Sequence, residues 1–194
     1  MNILSFAATN SQQSINKRLV SHATHLLADR VGDAADVNII DLNDYDMPIY
    51  SQERENASGI PAEAHRFFHQ IRESDVMLIA FAEHNGTFTA AFKNLFDWAS
   101  RIDQQVFNNT PMLLLATSPG GRGGQNVLNS AGELLPHFGA DVRGSFTLPT
   151  FHKHFNAETN QLTLTEHQTA LTHLLDSLLH THFTANHTQP EVSL

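Results

Sequence analysis

The chain has no cysteine at all, which removes disulfide frameworks, thiolate zinc sites, iron–sulfur clusters and cysteine nucleophiles together. Any redox chemistry must then rest on a bound cofactor. Positive charge is also scarce: 11 Lys+Arg stand against 20 Asp+Glu, a formal net charge of −9 with histidine neutral. That sign opposes nucleic acids and anionic membranes, whose binders gain affinity by neutralising phosphates, so neither is expected as a partner. No apolar run approaches the roughly 18 residues of a spanning helix. Residues 1–10 carry no basic segment ahead of their apolar stretch, so no leader is expected and a cytoplasmic protein is the default.

What remains is a chain that should fold. Hydrophobic content of 41% with 16% charged residues is the balance of a globular domain. At 194 residues it fits one domain, and a domain near that size buries roughly 70% of its unfolded surface.

Apolar runs alternate with helix-period segments, which predicts repeated strand–helix units and a parallel sheet. Strands are expected at residues 3–7, 37–40, 76–81, 112–116 and 141–148. The third and fourth are apolar on both faces and should be central. Ile15, Leu19, Ala23, Leu26 and Leu27 share a helical face, as do Phe88, Phe92, Leu95, Phe96 and Ala99. A helix entered through Pro61 runs to about Glu73, another spans residues 126–138 with a bend or end near Pro136, and a last one spans residues 165–182. That makes five strands and five helices in one domain, residues 1–183, with a disordered tail over 184–194.

Three polar segments follow the first, third and fourth strands. In residues 8–16, Thr9, Ser11, Ser14 and Asn16 lead directly into the first helix, and a helix N-terminus with hydroxyl donors can hold a phosphate without a Lys or Arg. An ordinary N-cap and turn is the alternative reading. Glu83-His84-Asn85-Gly86-Thr87 forms a glycine-containing loop, where main-chain groups can approach a planar ring. Ser118-Pro119-Gly120-Gly121-Arg122-Gly123-Gly124 has four glycines within residues 120–124, which suits either backbone contact with a ligand or positive φ. Neither the dinucleotide fingerprint nor the P-loop is present. There is no nucleophile elbow for a Ser-His-Asp hydrolase.

Together these segments resemble the NADPH-dependent FMN reductase family, of flavodoxin-like fold, which includes bacterial flavin, quinone, azo-dye and chromate reductases. The family reads G-S-x-R-x-x-S-x-N in the first loop, P-E-Y-N-G-S followed by K-N-x-x-D-W in the second, and S-x-G-G-x-G-G in the third. Here the matching positions are Thr9, Ser14 and Asn16; Glu83, Asn85, Gly86 and Thr87; Lys93, Asn94, Asp97 and Trp98; and Ser118, Gly120, Gly121, Gly123 and Gly124. Met47-Pro48-Ile49-Tyr50 is similar to the family's L-P-x-Y segment.

The resemblance implies an α/β three-layer sandwich with a parallel sheet of order 2-1-3-4-5 and helices on both faces. It implies FMN as cofactor and NADPH or NADH as donor, with hydride passing to FMN and then to a flavin, quinone, azo compound or metal oxyanion by a two-step ping-pong mechanism. Thr9, Ser11, Ser14 and Asn16, with Ile15 beside them, would surround the phosphate. Glu83, His84, Asn85, Gly86 and Thr87 would line the ring edge, largely through main chain. Ser118, Gly120, Gly121 and Gly123 would face the pyrimidine side, with N–H donors near N1. No side-chain acid or base is obligatory, because the cofactor carries the chemistry.

Three departures stand out. The family arginine of the first loop is Ser11, which removes a cation from the phosphate site, and retention of FMN on neutral donors is expected. The family's Pro and Tyr are Ala82 and His84, which alters the side chain at the ring edge and the substrate preference. Trp98 is expected in the core or at a subunit interface, Lys93 and Asp97 as a surface pair, and the protein as a homodimer or homotetramer. The closely spaced His152 and His154, and His180 and His182, are not expected to bind a metal, since no carboxylate or cysteine completes either cluster. The competing class is a non-catalytic FMN module, an electron carrier or redox-sensing interaction protein.

Overall fold

Strands β1 (Asn2–Ala8), β3 (Val76–Phe81) and β4 (Pro111–Thr117) are buried at nearly every position, as a parallel sheet covered on both faces demands. The computed structural model describes residues 1–186. With β2 (Asp36–Ile40) and β5 (Asp141–Leu148), these strands form one parallel sheet in the order β2-β1-β3-β4-β5. This is the flavodoxin-like order that the family resemblance implied.

Helices α3 (Ala62–Arg72), α4 (Ala90–Ile102) and α5 (Gln125–Leu134) cover one face. Their core is aromatic: Phe6, Phe67, Phe81, Phe92, Phe96, Phe107 and Trp98 pack there. The other face is covered by α1 (Ile15–Val31) and α7 (Thr165–Asn186), whose Leu19, Leu27, Leu171, Leu175 and Leu178 make a mainly aliphatic core.

Several boundaries differ from expectation. α4 starts at Ala90 because the Thr89 hydroxyl accepts the Phe92 N–H as its N-cap, and Phe88 lies outside it, packed on Phe81 and Phe92. α5 ends at Leu134, and Pro136 sits in the 3-10 turn Leu135–Phe138 that follows. Two short helices, α2 (Gln52–Ser58) and α6 (Phe151–His154), and a hairpin of β6 (Phe155–Asn156) and β7 (Gln161–Leu162) are additional. α2 buries no residue, so it carries no apolar period to read. α7 runs to Asn186, past the expected start of the tail at Thr184; the rest of that tail, residues 187–194, lies outside the described residues. No helix among the described residues is long and apolar enough to cross a membrane.

The register sets the site. Ala8 lies opposite Phe81, and Phe81 opposite Ala116, so β1, β3 and β4 end level with one another. The chain leaves β1 for β2 on one side, whereas β3 lies on the other. That reversal opens a crevice at the carboxyl ends, where doubly wound sheets take their ligands.

Candidate functional site

The three polar segments emerge together along that edge, and several of their family-matching side chains turn out to be braces. In the segment after β1, Ser14 caps α1 by accepting the Asn16 N–H at 3.2 Å. Thr9 is buried and its hydroxyl accepts the Ser11 N–H at 3.2 Å. Each hydroxyl that accepts one bond still has a proton to donate. Residues 10–13 between them are exposed, Ser11 included. α1 has no acidic residue in its first turn, so no carboxylate of its own opposes an anion at its positive end.

Asn16 departs from the phosphate-donor role expected of it. Its Nδ2 donates to the Thr117 carbonyl at 3.1 Å and its Oδ1 accepts the Thr117 N–H at 2.9 Å. The side chain ties the start of α1 to the end of β4, and Thr117 in turn donates from its hydroxyl to Leu148 of β5 at 2.6 Å. No Lys or Arg of the first loop replaces the family arginine, and the nearby Lys17 is paired with Asp41 after β2. Burial works to raise the Asp41 pKa, but the Lys17 and Asn43 hydrogen bonds outweigh it and hold the carboxyl below its ordinary value.

After β3, residues 84–87 form a tight turn in which the His84 N–H donates to the Thr87 carbonyl at 3.0 Å and the Thr87 N–H donates back at 3.1 Å. Asn85 and Gly86 supply the two positive φ values, 52° and 83°, that such a turn needs. With its main chain tied inside the turn, His84 offers its side chain to the edge. The Glu83 carboxylate points elsewhere: Oε2 accepts the Val127 N–H at 3.1 Å and Oε1 accepts from Asn126 Nδ2 at 3.3 Å, both at the start of α5.

The glycine turn after β4 divides in two. Gly120 and Gly121 are exposed, and neither has positive φ. A Cβ on Gly121 would meet nothing within 4 Å, and one on Gly120 only Ser118 Oγ at 3.8 Å. Gly123 and Gly124 are buried, with φ of 60° and 84°. A Cβ there would lie 2.9 Å from Pro149 N and 2.8 Å from Ala116 Cβ. Gly123, expected to face the ligand, is therefore required by packing and backbone conformation. Main-chain bonds hold the turn on its β5 side, Thr150 N–H to Gly120 and Phe151 N–H to Ser118, at 2.9 and 3.1 Å.

Sequence reasoning did not foresee how far these side chains reach. Asn94 of α4 accepts the Tyr50 N–H at 2.8 Å and donates to the Met47 and Pro48 carbonyls, and Trp98 Nε1 donates to Pro48 at 2.8 Å. The K-N-x-x-D-W helix thus holds the segment after β2, with Trp98 itself 1% exposed in the core and Lys93 paired with Asp97 at 2.6 Å. Thr89 links α4 to the end of β1 by donating to the Ala8 carbonyl at 2.9 Å. Its signal was a Thr immediately before an apolar-periodic helix.

Depressions flank the edge on both sides. A groove of about 530 Å³ is lined by Asn10, Tyr45, Ile49, His84, Thr89 and Asn94, among others. Another of about 430 Å³ lies beside Gly121, Arg122, Asn126 and Pro149. A further cleft of about 480 Å³ runs between the outer face of α1 and residues 159–161, away from the strand ends. Of the closely spaced histidines, His154 contacts the Pro149 carbonyl at 2.8 Å and lies tilted against His167, with ring centroids 4.9 Å apart. Among the described residues no group of three or more His, Asp or Glu could hold a metal ion.

A level-ended parallel sheet, a helix start open to an anion and two peptide turns beside it define a flavodoxin-like mononucleotide fold. The profile of the NADPH-dependent FMN reductase family matches residues 1–153, and the chain belongs to that family. An NAD(P)H-dependent FMN reductase of Pseudomonas aeruginosa is 38% identical over 74 residues, 38% of this chain and 40% of that protein. A 2-hydroxy-1,4-benzoquinone reductase of a Burkholderia species is 33% identical over 113 residues, 58% of this chain and 57% of that one. The matched stretches thus span less than two thirds of these relatives. Among solved structures, the flavoenzyme NAD(P)H:(acceptor) oxidoreductase FerB of Paracoccus denitrificans superposes with a TM-score of 0.74 at 20% identity, covering 94% of this chain and 97% of that one. The β6–β7 hairpin and α7 lie beyond the family match.

Proposed function

We propose that the protein is an FMN-dependent NAD(P)H oxidoreductase acting on a small acceptor such as a quinone or free flavin. The observation that carries this reading is the open pair Gly120–Gly121. Neither packing nor backbone conformation demands a glycine at either position, so the missing side chains serve the space above the turn.

The residues present fit FMN. The main-chain N–H groups of the first loop and the remaining hydroxyl protons of Thr9 and Ser14, with the exposed Ser11, offer the phosphate neutral donors at the start of α1. Asn16 positions that loop on β4 and is a brace in this scheme. The turn of residues 84–87 and the peptides of Gly120 and Gly121 border the ring. Bound there, FMN would supply the two-electron chemistry between nicotinamide donor and acceptor, in two half-reactions at one site. The protein's part is to orient the two small molecules in turn against the same face and to present N–H dipoles where negative charge grows. His84, in place of the family tyrosine, borders the groove that receives them. A homodimer or homotetramer belongs to this proposal and is read by light scattering.

The test is an absorbance spectrum of protein supplemented with FMN and freed of excess, followed by anaerobic NADPH and then NADH. Bound flavin absorbing near about 450 nm that bleaches with either donor is the expected result, and the relative rates rank the donors. Bound flavin inert to both would make the protein a carrier or sensor.

A further inference from the structure

Among the described residues, the Glu83 side chain hydrogen-bonds from beside the turn after β3 to the helix that follows the glycine turn. We propose that Glu83 is a positioning residue that locks these two peptide surfaces together, so that they meet a planar ring as one rigid rim; this rests on the flavin reading above.

Glu83 lies two residues past the end of β3 and immediately precedes a turn closed by two reciprocal main-chain bonds, which leaves its backbone little freedom. Its carboxylate then takes the Val127 N–H and Asn126 Nδ2, one on each oxygen. A carboxylate at a helix N-terminus is favoured by the helix dipole, and its hydrogen bonds are charge-assisted. Gly86, at the tip of the turn, is also near Asn126: a Cβ there would lie 4.0 Å from Asn126 Nδ2. The carboxylate is thus the hydrogen-bonded link between the two loops.

The glycine turn has good reason to need this tie. Its main-chain bonds run toward β5 and α6, through Thr150 and Phe151, and Asn16 anchors only its root at Thr117. Gly120 and Gly121 are exposed, and the side-chain bond to them is local, from the Ser118 hydroxyl to the Gly120 carbonyl at 3.2 Å. On the β3 side the ladder stops at the Phe81–Ala116 pair. Beyond that level, Glu83 supplies the cross-link. Sequence reading placed Glu83 at the ring edge largely through its main chain; its side chain goes to the start of α5.

The experiment compares wild type with E83Q, E83A and N126A by amide hydrogen exchange of the FMN-free protein and by FMN binding. In E83A, the amides of residues 120–127 should exchange about tenfold faster or more, and FMN should bind about tenfold more weakly. E83Q keeps an acceptor for the Val127 N–H and should fall within about threefold of wild type in both. Substituting Asn126 on top of E83A should add little, since the two groups share one interaction. Unchanged exchange in E83A would overturn the proposal. Faster exchange with unchanged FMN affinity would also overturn it, leaving Glu83 a helix cap and nothing more. If wild type itself bound no FMN, the flavin reading would fall while the exchange data still decided whether Glu83 couples the loops.

Discussion

The two halves of the glycine turn contain the same residue for opposite reasons. Gly123 and Gly124 are buried, left-handed and so close to Pro149 and Ala116 that a methyl group cannot be added. Gly120 and Gly121 are exposed, unstrained and surrounded by room. One half lets the chain fold back from β4 into α5; the other keeps a surface bare. The same division runs along the whole edge. Polar side chains such as Asn16, Glu83 and Asn94 are spent on holding loops, and the peptide groups they hold are what a ligand would meet.

Substitutions can break this contrast. The largest effect is expected for Gly124→Val, where a left-handed φ of 84° and a Cβ 2.8 Å from Ala116 combine. About 3 kcal/mol of stability or more should be lost, visible as a collapse of the urea midpoint. Asn16→Ala comes next. It strips the buried Thr117 N–H and C=O of their partners, and should cost about 2–3 kcal/mol in the same measurement. Gly121→Ala sharpens the contrast from the other side. Its stability should stay within about 0.5 kcal/mol of wild type, whereas FMN affinity measured by fluorescence quenching should fall severalfold. Loss of stability in G121A, with affinity intact, would erase the distinction between the halves.

The smallest effect lies away from the edge and serves as a contrast to it. Burial holds the His22 pKa below its ordinary 6.5, with the Asn160 main chain opposing and the nearby His25 adding to the depression. The unfolded chain takes up this proton first, so His22 should remove stability as pH falls below about 6.5 toward the folded value. Urea midpoints at about pH 7.5 and about pH 5.5 should show a smaller drop for His22→Gln than for wild type.

Much of the fold was legible because the sequence states it twice. The doubly apolar runs at residues 76–81 and 112–116 announce central parallel strands, and the level strand ends follow from their pairing. The strand order came with the family resemblance. The hidden elements lack a period: α2 buries no residue, and β6 and β7 have two residues each. The site was legible as a set of loops but not as a division of labour. Spacing brought Asn16 and Glu83 to the right edge, yet nothing in a linear motif says whether an amide or carboxylate faces a ligand or a neighbouring loop. Only the partners, Thr117 at 101 residues' distance and Val127 at 44, decide that. Gly123 and Gly121 likewise read identically until φ and the surrounding space separate them.

The most direct test is to follow the backbone amides of the isotopically labelled protein by NMR as FMN is added. Large, saturable shifts should fall on residues 10–15, 84–87, Gly120 and Gly121, with Gly123 and Gly124 nearly still. Shifts centred on Gly123 and Gly124, or confined to the cleft between α1 and residues 159–161, would contradict the account.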